Sequence, residues 1–440
     1  MSDFIKCVVS VVLSGAYLCA PVYAKSLEEA VATAFNTNPE LKAAYHRYKS
    51  AHHVHQSAQG AWLPTIDLRA NIGQGKQNTP ESRAGIEKEQ IKPIEYSLSL
   101  QQILFDGFFS SKEIERNQQE MRSEFFALKE TAENKALDAA NAYIAVLREQ
   151  ELYELSQKNL QSHQDIFEQI KVRADSGLGS NSELSQATGR LARAQANALA
   201  AENNLQDAIA LYQTIIGEYP ADLVEPKINI VKIPNSLADV LRVSRTNHPT
   251  LFLASADISA TQAQLESTRS GYYPRVTLEV SKSRVDDRSA DNSLRDELRA
   301  DIVLSYNLFR GGRDKHNELN AAYQVEQAKD IKEKAMREVI EGAKLSWQAK
   351  ESLRKQLEFL QIHVEQSYIT QQAYKKQFDL GRRTLLDLLD TENELFEARK
   401  SHVNAESSYT VAQYRVLNAM GRLLESLEIN PQEYWQVNHD

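Results

Sequence analysis

Four segments of the chain alternate apolar and polar residues. In 65–73 the apolar set is Ile66, Leu68, Ala70 and Ile72, between Thr65, Asp67, Arg69 and Asn71. In 94–101 it is Ile94, Tyr96, Leu98 and Leu100, against Glu95, Ser97, Ser99 and Gln101. In 275–281 Val276, Leu278 and Val280 face Arg275, Thr277, Glu279 and Ser281. In 298–308 Leu298, Ala300, Ile302, Leu304, Tyr306 and Leu308 stand mostly against Arg299, Asp301, Ser305 and Asn307. A period of two gives a strand one apolar and one polar face. Each segment is close to the ~9–11 residues of a tilted membrane-spanning strand, and this alternation is what an outer-membrane barrel displays. An antiparallel sheet packed on helices would show it equally, so the pattern alone leaves both architectures open.

Around the strands the period changes to threes and fours. From about Ser110 to Asp175 there is no Pro and no Gly, and Phe125, Leu128, Ala132, Ala136, Ala139, Tyr143 and Val146 recur at coiled-coil-like spacing. A helix of ~65 residues is ~100 Å long. A second such stretch runs from about Arg313 to Leu380, with Gly342 as its one interior glycine. Glycine breaks follow both (Gly177 and Gly179; Gly381), and return helices are expected over 182–216 and 384–424. No single compact domain buries helices of that length, so they must lie side by side as a hollow or bundled rod.

The chain is written twice. Residues 26–78 match 236–288 at a shift of 210: Asn38-Pro39 pairs with His248-Pro249, and Leu63-Pro64 with Tyr273-Pro274. Further on the shift is 204: Phe105-Asp106-Gly107 pairs with Phe309-Arg310-Gly311, Gly177 with Gly381, and Gly217 with Gly421. The change of six residues falls near 79–95, where a loop of variable length is expected. The reading is a first repeat over 25–222, with strands about 64–74 and 93–105, and a second over 236–425, with strands about 274–284 and 298–309. A Pro-containing connector over 223–235 joins them and a short tail, 426–440, follows.

Composition narrows the function. Hydrophobic residues are 42% and charged residues 25% of 440, which is globular rather than disordered. Gly (16) and Pro (11) are scarce, in keeping with long unbroken elements. A net charge of −9 argues against nucleic-acid binding. Residues 1–24 read as a secretory signal peptide: Lys6, an apolar stretch from Cys7 to Ala20, and Val22-Tyr23-Ala24 as the cleavage site. Both cysteines, Cys7 and Cys19, lie inside it, so the mature chain has no disulfide or thiolate site. After Ala24 no apolar run reaches 18 residues, so membrane entry would require a β-barrel. His52, His53 and His55, with His46 nearby, have only the weak companions Gln56, Ser57 and Gln59, and read as an exposed helix face rather than a metal site. Gly311-Gly312-Arg313 lacks the end of a phosphate loop, and no hydrolase, zinc-protease or calcium-loop motif is present. No enzyme activity and no cofactor are expected.

These features together resemble the TolC-like outer-membrane efflux protein family, over essentially the whole mature chain. The resemblance rests on the paired repeat starts, on Phe105-Asp106-Gly107 and Leu308-Phe309-Arg310-Gly311-Gly312 after the hairpins, and above all on Gly381-Arg382-Arg383-Thr384-Leu385-Leu386-Asp387-Leu388-Leu389-Asp390, which looks like the family's inner-end tip. It implies an α+β membrane protein. Four strands per chain would contribute to a 12-stranded trimeric β-barrel, continued by a long α-helical coiled-coil barrel. It implies a homotrimer set in outer-membrane lipid, a periplasmic adaptor, an inner-membrane pump of ABC or RND type, and passive export of drugs or polypeptides. A mild lean toward type I secretion comes from the short tail and the Arg310-Gly311-Gly312-Arg313 corner. By the same resemblance Asp387 and Asp390 form the periplasmic constriction, and a ring of six carboxylates would raise some of their pKa values and attract cations. Arg383, with Ser182 and Glu183 as partners, ties the closed tips. Phe378 departs from members with a tyrosine there and makes no hydroxyl bond. The competing architecture is a periplasmic coiled-coil scaffold or adaptor without a pore.

Overall fold

The computed structural model describes residues 25–434 except 77, 79, 86–89, 178, 228–231, 288–293 and 432–433. The signal-peptide reading over 1–24 and the end of the tail lie outside the described residues. In chain order come helices α1 (Leu27–Thr37) and α2 (Pro39–Gln59), strands β1 (Thr65–Ile72) and β2 (Gly75–Lys76), the one-turn helix α3 (Pro80–Arg83), strands β3 (Gln90–Ile91) and β4 (Pro93–Phe105), and helices α4 (Phe109–Asp175) and α5 (Asn181–Ile216). The second half follows the same plan with α6 (Leu237–Asn247), α7 (Pro249–Thr268), β5 (Arg275–Asp287), β6 (Leu294–Ser305), α8 (Arg313–Asp379) and α9 (Leu385–Ala419), then α10 (Leu423–Ser426).

The helix starts are written in the caps. Ser26, Ser180 and Thr384 each form a capping box with the acid three residues on, Glu29, Glu183 and Asp387. Asn38 and His248 cap α2 and α7 through their side chains, with Pro39 and Pro249 at the first helical position, where a missing N–H costs nothing. Helices α4 and α8 are 67 residues each, ~100 Å by their rise. The last helix is shorter than its apolar pattern suggests. It stops at Ala419, Gly421 takes φ +65°, and α10 leaves as a separate turn, so the continuous helix expected to 424 is broken.

The main core gathers around the middle of α4. Leu128, Ala132, Ala136, Ala139, Ala140 and Tyr143 meet Leu27 and Val31 of α1, Tyr212 and Ile216 of α5, and Leu417, Met420 and Leu423 near the C-terminus. The run of alanines keeps that face narrow, which lets neighbouring helices approach. The Tyr143 hydroxyl accepts from Val224 N–H (2.9 Å) and lies 2.7 Å from the Lys25 carbonyl, so the start of the chain and the connector are held to the same helix.

The four long strands form one antiparallel sheet in the order β1-β4-β5-β6, so β4–β5 pairing fuses the hairpins of the two repeats. Residues directly opposite each other share a face. One face therefore carries rows such as Ile66–Leu100–Val280–Ala300 and Leu68–Leu98–Lys282–Leu298. The other carries Asp67–Ser99–Ser281–Arg299. Two strands outrun their periodic segments. In β4 the register slips between Ile103 and Phe105, a bulge that hides the alternation beyond Gln101. In β5 the apolar phase is interrupted by Lys282, Arg284 and Asp286. The segment read as 298–308 pairs instead over Leu294–Ser305. Ser305 lies opposite Arg275, and Pro274 before it has no N–H with which to extend the ladder.

Candidate functional site

Helix α4 runs from the sheet end of the molecule to the turn at Gly177, and α8 to the turn at Gly381; both glycines have positive φ. These two turns, with the starts of α5 and α9, make the tip. An apolar plug packs between its two hairpins: Ile166, Ile170 and Ala187 of the first with Phe378, Leu385, Leu388 and Leu389 of the second. Phe378 is buried in this plug, and the Arg173 guanidinium lies 5.1 Å from its ring centroid. The position that departs from the tyrosine pattern thus holds the two hairpins by burial and a cation–π contact.

Asp387 sits where a helix start wants an acid. Its Oδ2 accepts from Thr384 Oγ1 (2.8 Å) and Thr384 N–H (3.1 Å), and its own N–H donates to Thr384 Oγ1 (3.2 Å). The Thr384 hydroxyl bond, the Thr384 N–H and the charge of Arg383 together hold its carboxyl below the usual range. Within one protomer the carboxylate is thus driven toward the charged form, opposite in sign to the rise expected of a crowded ring. Arg383 lies 4.2 Å from the Tyr374 ring centroid, donates from Nε to Gln377 Oε1 (3.0 Å), and has Nη1 3.9 Å from Asp387. Ser182 and Glu183 are occupied elsewhere: Ser182 shares a 2.6 Å hydrogen bond with the Ser180 hydroxyl, and Glu183 accepts from Ser180 N–H. The structure therefore brings Arg383 to Asp387, Tyr374 and Gln377, and does not bring it to Ser182 or Glu183 within a protomer.

Asp390 has a partner that sequence reasoning missed. Arg190 of α5 places Nη2 2.8 Å from Asp390 Oδ1. No local signal announces this pair, because the two residues are 200 positions apart. The histidine cluster resolves into ordinary contacts: His52 Nδ1 to Met121 Sδ, His53 to Gln56 and His55 to Gln59. Among the described residues no group of His, Cys, Asp and Glu is arranged to hold a metal ion, and no helix is long and apolar enough to cross a membrane.

At the opposite end, the apolar face of the sheet is uncovered in the single chain. Ile66, Leu68, Leu98, Leu298, Ile302 and Leu304 are all exposed. Where the strands meet the helices lies a band of exposed aromatics: Trp62, Phe108, Phe109, Tyr272, Tyr273, Tyr306 and Phe309.

The family model described as outer membrane efflux protein matches residues 30–218 and again 240–422. The chain belongs to the outer membrane efflux protein family. Both repeats carry the match, in agreement with the resemblance read from the tip and hairpin motifs. Among curated relatives, outer membrane efflux protein BepC of Brucella suis biovar 1 is 24% identical, over 98% of this chain and 94% of that protein. Alkaline protease secretion protein AprF of Pseudomonas aeruginosa is 22% identical, over 94% and 89%. Among solved structures, the Campylobacter jejuni CmeC outer membrane channel superposes with a TM-score of 0.80 at 16% identity, covering 93% of this chain and 89% of that one. Efflux and secretion proteins thus match this chain at similar identity. The family places the protein in the outer membrane as an exit duct.

Proposed function

We propose that three copies of this outer-membrane exit duct close one barrel of twelve strands, and that their long helices continue it as a tunnel through the periplasm. The observation that carries this reading is the single four-stranded sheet, with one uncovered apolar face and one polar face. Four strands cannot close, since ~8 are needed. An uncovered sheet of this kind is also poor design for a water-soluble scaffold, which needs no such face. In the trimer the apolar face meets lipid, the polar face lines a wet lumen, and the aromatic band lies at the inner membrane–water boundary. The two repeats, 25–222 and 236–425, contribute one hairpin each.

Passage is by opening the helical tips, at the constriction of Asp387 and Asp390. No nucleotide motif is present in the sequence, so the work comes from partners: a periplasmic adaptor and an inner-membrane pump of ABC or RND type. Relatives of both efflux and secretion kind fit such an assembly. A deletion strain separates the cargo classes, drug sensitivity marking efflux and loss of one secreted protein marking secretion.

The test is planar-bilayer conductance of the purified protein, with its mass determined in the same detergent. Discrete openings from a trimer are expected. A soluble monomer without conductance would overturn the reading. In the trimer, Asp387→Asn with Asp390→Asn should weaken cation block from the tip side, and unchanged block would remove both residues from the constriction.

A further inference from the structure

The two hairpins of a protomer meet at the tip across a seam that is charged as well as apolar. The first hairpin presents Arg190 and His163; the second presents Asp390 and Glu392. Arg190 lies one turn beyond Ala187 and Asp390 next to Leu389, both members of the apolar plug, so their ion pair borders that plug. Glu392 is buried and accepts a hydrogen bond from Gln371 of α8, and His163, also buried, lies within electrostatic reach of both Glu392 and Arg190. Asp387 has its own cation in Arg383. Each carboxylate of the constriction pair therefore has an arginine of the same chain beside it.

We propose that Arg190 is a selectivity-determining and positioning residue of the duct: it neutralises Asp390 while the hairpins are together and releases it when they separate. This rests on the duct reading. The tip carries paired charges when closed. When α5 moves away from α9, Arg190 leaves with it, and three Asp390 carboxylates, one per protomer, become unpaired around the axis. The constriction thus becomes more anionic as it opens, and its preference for cations depends on its state. Closing is favoured in return, because each protomer regains an ion pair beside an apolar surface.

The experiment measures reversal potential in a KCl gradient, and block by hexamminecobalt(III) added on the tip side, in the low-conductance state with the tips closed, where Arg190 still pairs with Asp390, for the parent and Arg190→Gln. The variant should move the reversal potential toward that of K⁺ and strengthen block by about threefold at low salt, the size of effect that losing one exposed ion pair carries. The difference should fade at about 1 M salt, where the screening length falls to about 3 Å. Asp390→Asn leaves Arg190 uncompensated and should move the reversal potential toward that of Cl⁻. Arg190→Lys should keep the parent's selectivity, which a purely structural role for the guanidinium would not predict. A conducting Arg190→Gln channel with the parent's reversal potential and block overturns the proposal. If Arg190→Gln does not assemble, an unmoved reversal potential in Asp390→Asn overturns it instead. A parent protein without any conductance overturns the duct reading and this inference together.

Discussion

Glu133 sits in the middle of α4, almost fully buried, with Oε2 2.9 Å from the N–H of Leu423 at the start of α10. Burial pushes its carboxyl from the ordinary 4.5 up to about 7, although the hydrogen bonds from Leu423 and Leu424 pull the other way. The sign follows directly. Between those two values the folded chain holds a proton that the unfolded chain has released, so stability falls as pH rises through that window and levels off above it. The full difference is on the order of 3 kcal/mol. Glu133→Gln keeps an acceptor for Leu423 and should flatten this descent, raising the melting temperature at pH 8.5 more than at pH 5. Equal changes at both pH values would refute the assignment. His248 works in the opposite sense. Its neutral ring caps α7, and burial lowers its pKa from 6.5 to about 4. Its contribution is present above 6.5 and is lost as pH falls through about 4, because the unfolded chain takes the proton first. His248→Asn, the solution that Asn38 provides in the first repeat, should remove that acid sensitivity in a pH series of thermal melts. Phe108 shows a third residue-scale compromise. It takes φ +69° where the second repeat has Gly312 at +80°, a cost of about 1–2 kcal/mol. Its ring packs edge-on against both Phe105 and Tyr273 in return.

At the scale of elements, the repeated motifs turn out to be pieces of the same joint. Gly217 ends α5 at φ +89°, and a Cβ there would stand 2.7 Å from Thr37 Oγ1 at the end of α1. The Thr37 hydroxyl donates to the Ile216 carbonyl (2.7 Å), and Asn38 Nδ2 lies 3.3 Å from the Ile215 carbonyl. Gly421 stands against Asn247, His248 and Pro249 in the same way. The Asn-Pro and His-Pro motifs and the two glycines are therefore the two sides of one close approach, made twice. Gly217→Ala should cost about 2 kcal/mol or more, since the left-handed backbone and the close contact both oppose a Cβ. Gly177→Ala, at φ +75° with open space around it, should cost only the backbone term of about 1 kcal/mol. Denaturant titration of both variants in detergent checks the difference, and equal costs would show that the contact at Gly217 is dispensable. The helices were legible because spacing and caps are local. The end of β5 was not, because Lys282, Arg284 and Asp286 interrupt the alternation while the ladder continues beneath them.

For the whole molecule, the sheet face makes the sharpest prediction. Ile302 is 71% exposed on the apolar side, and its neighbour Asp301 lies on the polar side. In the proposed trimeric barrel, Ile302→Lys would put a charge into lipid at a cost of about 2–4 kcal/mol near the midplane, whereas Asp301→Lys would face the wet lumen. The first should markedly reduce the trimer recovered from outer-membrane fractions and the second should not. Equal recovery would mean that the faces are assigned the wrong way round or that the sheet does not meet lipid.

The sequence by itself determined what depends on neighbours a few residues apart. It carried the strand alternation, the two long helices, the duplication and the glycine turns of the tip. Only the tertiary structure decided what depends on residues far apart. The joining of β4 to β5 makes one apolar face from two separate hairpins. Arg190 meets Asp390 across 200 positions, and burial beside α10 sets the proton affinity of Glu133. The physical reason is the same in each case. Periodicity and capping are properties of a local backbone, while pairing, desolvation and charge compensation belong to whichever groups the folded chain brings into contact.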